Sequence, residues 1–118
     1  MKSTVVPIES LLAQTLDTGS LPDPVMYQYY KMLDKRVILI NQEITDDLLE
    51  MAVIPYMEMD RDKTGEPIEI ILSTAGGDIY SGFALVDVIE RAKTPTTIHI
   101  MGMAASMGTL IAIAGKNN

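Results

Sequence analysis

The 118 residues make one domain or less, and with 47% of them hydrophobic and 21% charged they suit a packed core rather than a disordered chain. The net charge of -7 argues against a nucleic-acid groove or an anionic membrane surface, both of which need clustered Lys and Arg, and leaves solubility as its plain explanation. With no cysteine, disulfides, thiolate catalysis and Cys-based zinc sites are excluded, and one Phe with no Trp leaves the core to aliphatic and Met side chains.

The chain opens on Met1-Lys2-Ser3-Thr4, and Pro7, Glu9 and Ser10 interrupt any apolar signal core. No stretch approaches the ~20 apolar residues of a membrane span, so a soluble cytoplasmic protein is expected. Residues 1–24 read as an amino-terminal arm ending in the loop Asp17-Thr18-Gly19-Ser20-Leu21-Pro22-Asp23-Pro24, and residues 25–35 as a short helix. Three βα units follow. The apolar run Val37-Ile38-Leu39-Ile40 is a buried strand, near 37–41. Thr45-Asp46-Asp47 offers an N-cap and an acidic first turn, ahead of Leu48, Leu49, Met51, Ala52, Tyr56 and Met59 on one helical face. Pro55 sits inside that helix, where it removes a hydrogen bond at a cost of ~3 kcal/mol, so a kink or an early stop is expected there.

Residues 60–67 form a turn into the second strand, near 68–72. Ser73-Thr74-Ala75-Gly76-Gly77 is a tight small-residue turn, and Asp78 caps a helix carrying Ile79, Phe83, Val86 and Ile89 at helical spacing. Thr94-Pro95 ends it. A third strand near 96–101 leads into Gly102-Met103-Ala104-Ala105-Ser106-Met107-Gly108 and a short apolar helix at 109–114, with Gly115 as its C-cap. Strand–helix alternation predicts an α/β fold with a parallel sheet and right-handed crossovers.

Two turns carry candidate chemistry. Ser106 lies between a buried strand and a helix among Gly and Ala residues, which permit a sharp turn and close approach of a substrate backbone. This is the physical arrangement of a nucleophile elbow without the G-x-S-x-G pattern, and the Met107 amide at the helix start suits an oxyanion. From the residues alone, a helix-capping serine in a packing turn is the plainer reading. Gly76-Gly77 frees backbone to present amides to an anion or a peptide, although a structural βα turn accounts for it as simply. The pattern is not G-x-G-x-x-G, so a dinucleotide site is not supported. Both turns follow parallel strands and therefore lie at the carboxyl edge of the sheet, where α/β sites form.

The seven residues from Gly102 to Gly108 match the nucleophile motif of the ClpP family of serine peptidases. Ser73-Thr74-Ala75-Gly76-Gly77-Asp78 resembles the family's N-S-P-G-G-S turn with the glycine pair kept, and residues 29–39 resemble its first helix–strand junction, with Leu33 and Arg36 as matches. The resemblance implies a ClpP/crotonase-like fold of repeated βα units over residues 25–118, apparently truncated. It also implies Ser106 as nucleophile, and Gly77 and Met107 as oxyanion-hole amides. No cofactor and no metal are implied, and with His99 as the one imidazole a His-cluster metal site within one chain is impossible. The implied partners are an unfolded protein or peptide substrate, an AAA+ unfoldase ATPase, and further copies of the chain, in heptameric rings for the full-length family. Pro55, Ala75 and Asp78 depart from the family pattern and bear on local substrate contacts.

The family's catalytic His and Asp lie downstream of the nucleophile helix, whereas this sequence stops at Lys116-Asn117-Asn118. A serine hydroxyl without a base is a poor nucleophile. His99, in mid-strand, is expected to be a core or interface residue with a satisfied ring, and neither Asp78 nor Asp87 replaces an imidazole. A fragment of a longer product is the favoured explanation, since a sheet edge would otherwise stay open. Three other functions compete. A non-catalytic structural ring subunit fits the missing His. A crotonase-type acyl-CoA enzyme also uses backbone oxyanion holes but leaves Ser106 unexplained. A membrane-bound signal-peptide peptidase of similar fold would want a Lys base and an anchor that is not seen.

Overall fold

The computed structural model describes residues 23–115. Residues 1–22, most of the expected arm, lie outside the described residues, as do 116–118. Asp23 and Pro24, read as the end of the loop, instead begin the fold. Asp23 Oδ1 accepts from the amides of Val25 (2.7 Å) and Met26 (3.3 Å), and Pro24 opens helix α1 (Pro24–Asp34). That position suits proline, whose missing N–H would have had no helical partner.

Strand β1 (Val37–Ile40) is followed by a π-helical turn (Leu49–Val53) running straight into α2 (Ile54–Arg61). Then come β2 (Ile68–Thr74), α3 (Ile79–Arg91), β3 (Thr96–Ala104) and α4 (Met107–Ala114). The three strands form one parallel sheet in the order β1-β2-β3, with Ile38 opposite Ile70 and Ile70 opposite Ile98. All three strands therefore stand where their apolar runs place them. Between residues 101 and 103 β3 bulges, so that Leu72 pairs with Ile100 but Thr74 with Ala104, and Gly102 takes φ +88°. The bulge carries β3 beyond its expected end, because Gly102 and Met103 read as turn by composition yet still extend the strand.

One sheet face builds the core. Ile38, Ile40, Ile68, Ile70, Leu72 and Ile98 are buried, together with Ala52, Tyr56 and Met59 from the second helical segment, Leu85 and Ile89 from α3, and Met107 and Ile111 from α4. On the other face Glu69, His99 and Met101 are exposed.

Proline does not stop the helix at Pro55. The π-helical turn absorbs the irregularity, closing with Ile54 N–H to the Leu49 carbonyl, and Pro55 falls in the first turn of α2. A regular helix would pair the Met51 carbonyl with the amide of residue 55, which proline lacks. The Tyr29 hydroxyl from α1 donates to that carbonyl, and burial pushes its phenol well above the ordinary value.

Arg36, with φ +65°, leaves α1 for β1 and braces the far side of the domain. Its guanidinium donates to the carbonyls of Met59 (3.0 Å) and Glu66 (2.8 Å) and pairs with Asp62. Gly115 does occupy the α4 C-cap, but with φ -61° and ψ 135° it is extended, not left-handed.

Candidate active site

Ser106 stands at the N-cap of α4 with φ 54° and ψ -122°. These are the angles of the first central position of a type II′ turn, where glycine is usual and a serine is strained. The turn closes with the Gly108 amide donating to Ala105 O at 2.9 Å. The side chain is exposed, and its hydroxyl makes no hydrogen bond among the described residues. A serine forced out of the normal backbone regions and left unbonded at a helix start resembles an elbow more than a cap.

The two candidate turns meet. The Ala105 amide donates to Thr74 O at 3.1 Å, tying the end of β3 to the end of β2. A Cβ placed on Gly76 would fall 2.8 Å from Ser106 Cβ and 2.9 Å from Ala105 O, so only glycine lets the elbow close onto this turn. Gly77 pairs with Ile44 in an isolated parallel bridge. Ile44 N–H goes to Gly76 O and Asp78 N–H to Ile44 O, both at 2.8 Å. In such a bridge the central residue turns its own amide away from the partner. The Gly77 N–H therefore faces the β3 side, where Ser106 lies. Among the described residues neither the Gly77 nor the Met107 amide has an acceptor. The structure thus brings Ser106, Gly77 and Met107 to one corner of the sheet's carboxyl edge. Two unpartnered amides beside an exposed hydroxyl can receive a carbonyl oxygen as it becomes an oxyanion.

Asp78 caps α3, its Oδ2 accepting from Ser81 Oγ (2.6 Å) and Ser81 N–H (2.9 Å). Those hydrogen bonds hold its carboxyl below the usual range. His99 is not at the site. It lies five residues before the end of β3, about 16 Å along the strand at ~3.3 Å per residue. It is not a core residue either: its side chain is 47% exposed, with Nε2 3.2 Å from Glu69 Oε1 on the open sheet face. Asp87, an exposed residue within α3, is likewise not gathered in.

Gly76 forms the floor under Ser106, a role that the resemblance, which implies Gly77 alone for the site, does not assign. The doubled glycine was the signal, since one glycine suffices for a turn and the second implies a close approach. Gly102 was also missed, because its bulge depends on pairing with β2.

The model of the Clp protease family matches residues 23–118. The ATP-dependent Clp protease proteolytic subunit 2 of Treponema pallidum is 36% identical over 90 residues, 76% of this chain and 45% of that protein. The proteolytic subunit of Streptococcus agalactiae is 31% identical over 87 residues, 74% of this chain and 44% of that protein. The solved structure of ClpP1 from Listeria monocytogenes superposes with a TM-score of 0.66 at 28% identity, covering 72% of this chain and 49% of that one. The chain thus spans less than half the length of these curated relatives. With a family match running from the cap of α1 through the elbow, and a parallel sheet shared with ClpP structures, the chain belongs to the Clp protease family.

Proposed function

We propose that this chain supplies the nucleophile and the oxyanion hole of a serine endopeptidase. Ser106 Oγ attacks the scissile carbonyl, and the Gly77 and Met107 amides hold the oxygen of the tetrahedral intermediate. The observation that carries this reading is the strained, exposed Ser106 beside two amides without acceptors. The proton on Ser106 needs a base, and His99 is too far along β3 to be one. The base must therefore come from residues other than 1–118 or from another chain. In this reading, which extends the family resemblance, the substrates would be unfolded proteins cut to peptides in a chamber of several copies, fed by an AAA+ ATPase in the cytoplasm. No helix among the described residues is long and apolar enough to cross a membrane.

Two opposing magnitudes set the expected behaviour. Binding and an oxyanion hole alone keep roughly 10³–10⁴-fold over water in well-studied serine proteases. Loss of the base removes on the order of 10⁶-fold. The second effect wins, so residues 1–118 alone should show no useful turnover and weak or no labelling of Ser106 by a fluorophosphonate. Joining residue 118 to the portion of the Treponema pallidum subunit beyond the matched stretch should restore labelling and peptide cleavage, and Ser106→Ala should abolish both. Robust cleavage by the 118 residues, lost on His99→Ala, would make His99 the base and overturn the assignment.

A further inference from the structure

Strand β2 turns Ile68, Ile70, Leu72 and Thr74 inward, and all of them are buried. The first three are apolar, whereas Thr74, 4% exposed, brings a hydroxyl into the interior. A buried hydroxyl costs stability unless it is bonded, and valine would fill the same space, so the oxygen needs an account of its own.

Its bonds go to the residue whose carbonyl shares a peptide with the proposed oxyanion amide. Thr74 Oγ1 accepts from Gly76 N–H at 3.1 Å and lies 3.4 Å from Gly76 O, to which its hydroxyl donates. The Gly76 carbonyl and the Gly77 N–H belong to one planar trans peptide and point in opposite directions. Holding that carbonyl toward Thr74 Oγ1 and Ile44 N–H therefore sets where the Gly77 N–H points. The peptide joins two glycines, at φ +109° and +145°, so no Cβ restrains its rotation and a bonded clamp must do so. Thr74 also holds the other half of the site. Its carbonyl accepts from Ala105 N–H at 3.1 Å, and its Cγ2 lies 2.6 Å from where a Cβ on Gly108 would stand, one residue past the Met107 amide.

We infer that Thr74 is a positioning residue, whose buried hydroxyl clamps the Gly76–Gly77 peptide so that the Gly77 N–H is presented on the side of Ser106. This inference rests on the proposed peptidase role for its meaning, but the clamp is measurable without catalysis. Labelling the eight glycines with heavy nitrogen lets the Gly76 and Gly77 amides be followed by nuclear magnetic resonance in the 118-residue chain. Thr74→Val, which keeps the shape and removes the oxygen, should speed hydrogen exchange at Gly76 by roughly tenfold and move the Gly77 resonance, as loss of one ordinary hydrogen bond would. Thr74→Ser, which keeps the oxygen and loses the methyl on Gly108, should return both. In the joined, cleaving protein, Thr74→Val should lower kcat roughly tenfold to a hundredfold with KM within about twofold, because a misaimed donor fails in the transition state rather than in substrate binding. Thr74→Ser should recover most of that loss even where its melting temperature is the lower of the two. Gly76 exchange unmoved by Thr74→Val, or a kcat that follows melting temperature across the two variants instead of the hydroxyl, would overturn the inference. A failure of Ser106 to act as nucleophile would show instead in the fluorophosphonate experiment and leave the exchange rates as they are.

Discussion

At the scale of single residues, Gly76 and Gly65 make a controlled pair. Both hold positive φ, +109° and +74°, but a Cβ on Gly65 meets nothing within 4 Å while one on Gly76 strikes Ser106 and Ala105. Gly65→Ala should therefore cost only the backbone penalty, roughly 1–2 kcal/mol. Gly76→Ala adds overpacking against the backbone, about 1–3 kcal/mol more, and should displace the elbow. Denaturant midpoints of the two variants give the comparison, and equal losses would show that the elbow yields freely. Asp62 supplies a pH test. Burial opposes its charge, but hydrogen bonds from the Thr64 amide and hydroxyl and the Arg36 guanidinium outweigh it, and the carboxyl stays below its usual 3.8. A carboxylate depressed in the folded state stabilises above its unfolded value, and that contribution is lost as pH falls through the folded one. Melting temperatures should thus show Asp62→Asn less stable than the parent at neutral pH, with the gap closing below about pH 4. A gap that persists unchanged in acid would mean that the pair contributes nothing through its charge.

Among the elements, the helix interrupted by Pro55 tests whether a distant tyrosine repairs what a proline breaks. Tyr29→Phe removes the donor to the Met51 carbonyl and should cost about 1–2 kcal/mol, since a partly buried acceptor is left short of a partner. Pro55→Ala restores an amide near that carbonyl, so the same Tyr29→Phe change made on that background should cost less. A double-mutant cycle by urea unfolding measures the coupling, and strict additivity would break the link between the two residues. This repair was invisible in the sequence because the Tyr29 hydroxyl reaches the Met51 carbonyl only once α1 packs beside the second helical segment. The strands were legible for the opposite reason: Val37 to Ile40 and Ile68 to Leu72 are local apolar runs whose burial follows from composition. Asp78 as a cap and Ser106 at a helix start were also legible, since capping needs only neighbours in the chain. The contact of Gly76 with Ser106, the bulge at Gly102 and the exposure of His99 were not, because each depends on which strand lies alongside and on what covers the second face.

For the whole molecule, the deciding feature is the uneven covering of the sheet. Thr96 and Ile98 in β3 are buried, but Ile100, Met101 and Met103 are 54%, 59% and 52% exposed. Leu110 and Ile113 on α4 and Phe83 on α3 are exposed as well. Soluble monomers rarely leave contiguous apolar patches beyond a few hundred Å² uncovered, and a bare β-edge adds unpaired backbone groups to the attraction. Against this stands the net charge of -7, which repels like copies. The repulsion acts over a Debye length of about 10 Å at 0.1 M salt and shrinks further as salt rises, whereas apolar burial does not weaken with salt. The 118-residue chain should therefore associate in a concentration-dependent way, and more strongly at high salt than at low. Sedimentation velocity over a hundredfold dilution series at two salt concentrations reads this directly. Met103→Lys and Ile113→Lys, both at exposed positions, should shift the chain back toward monomer without loss of helical circular dichroism. A chain that stays monomeric at every concentration and salt, and unfolds in one cooperative step, would show that this apolar surface drives no self-association.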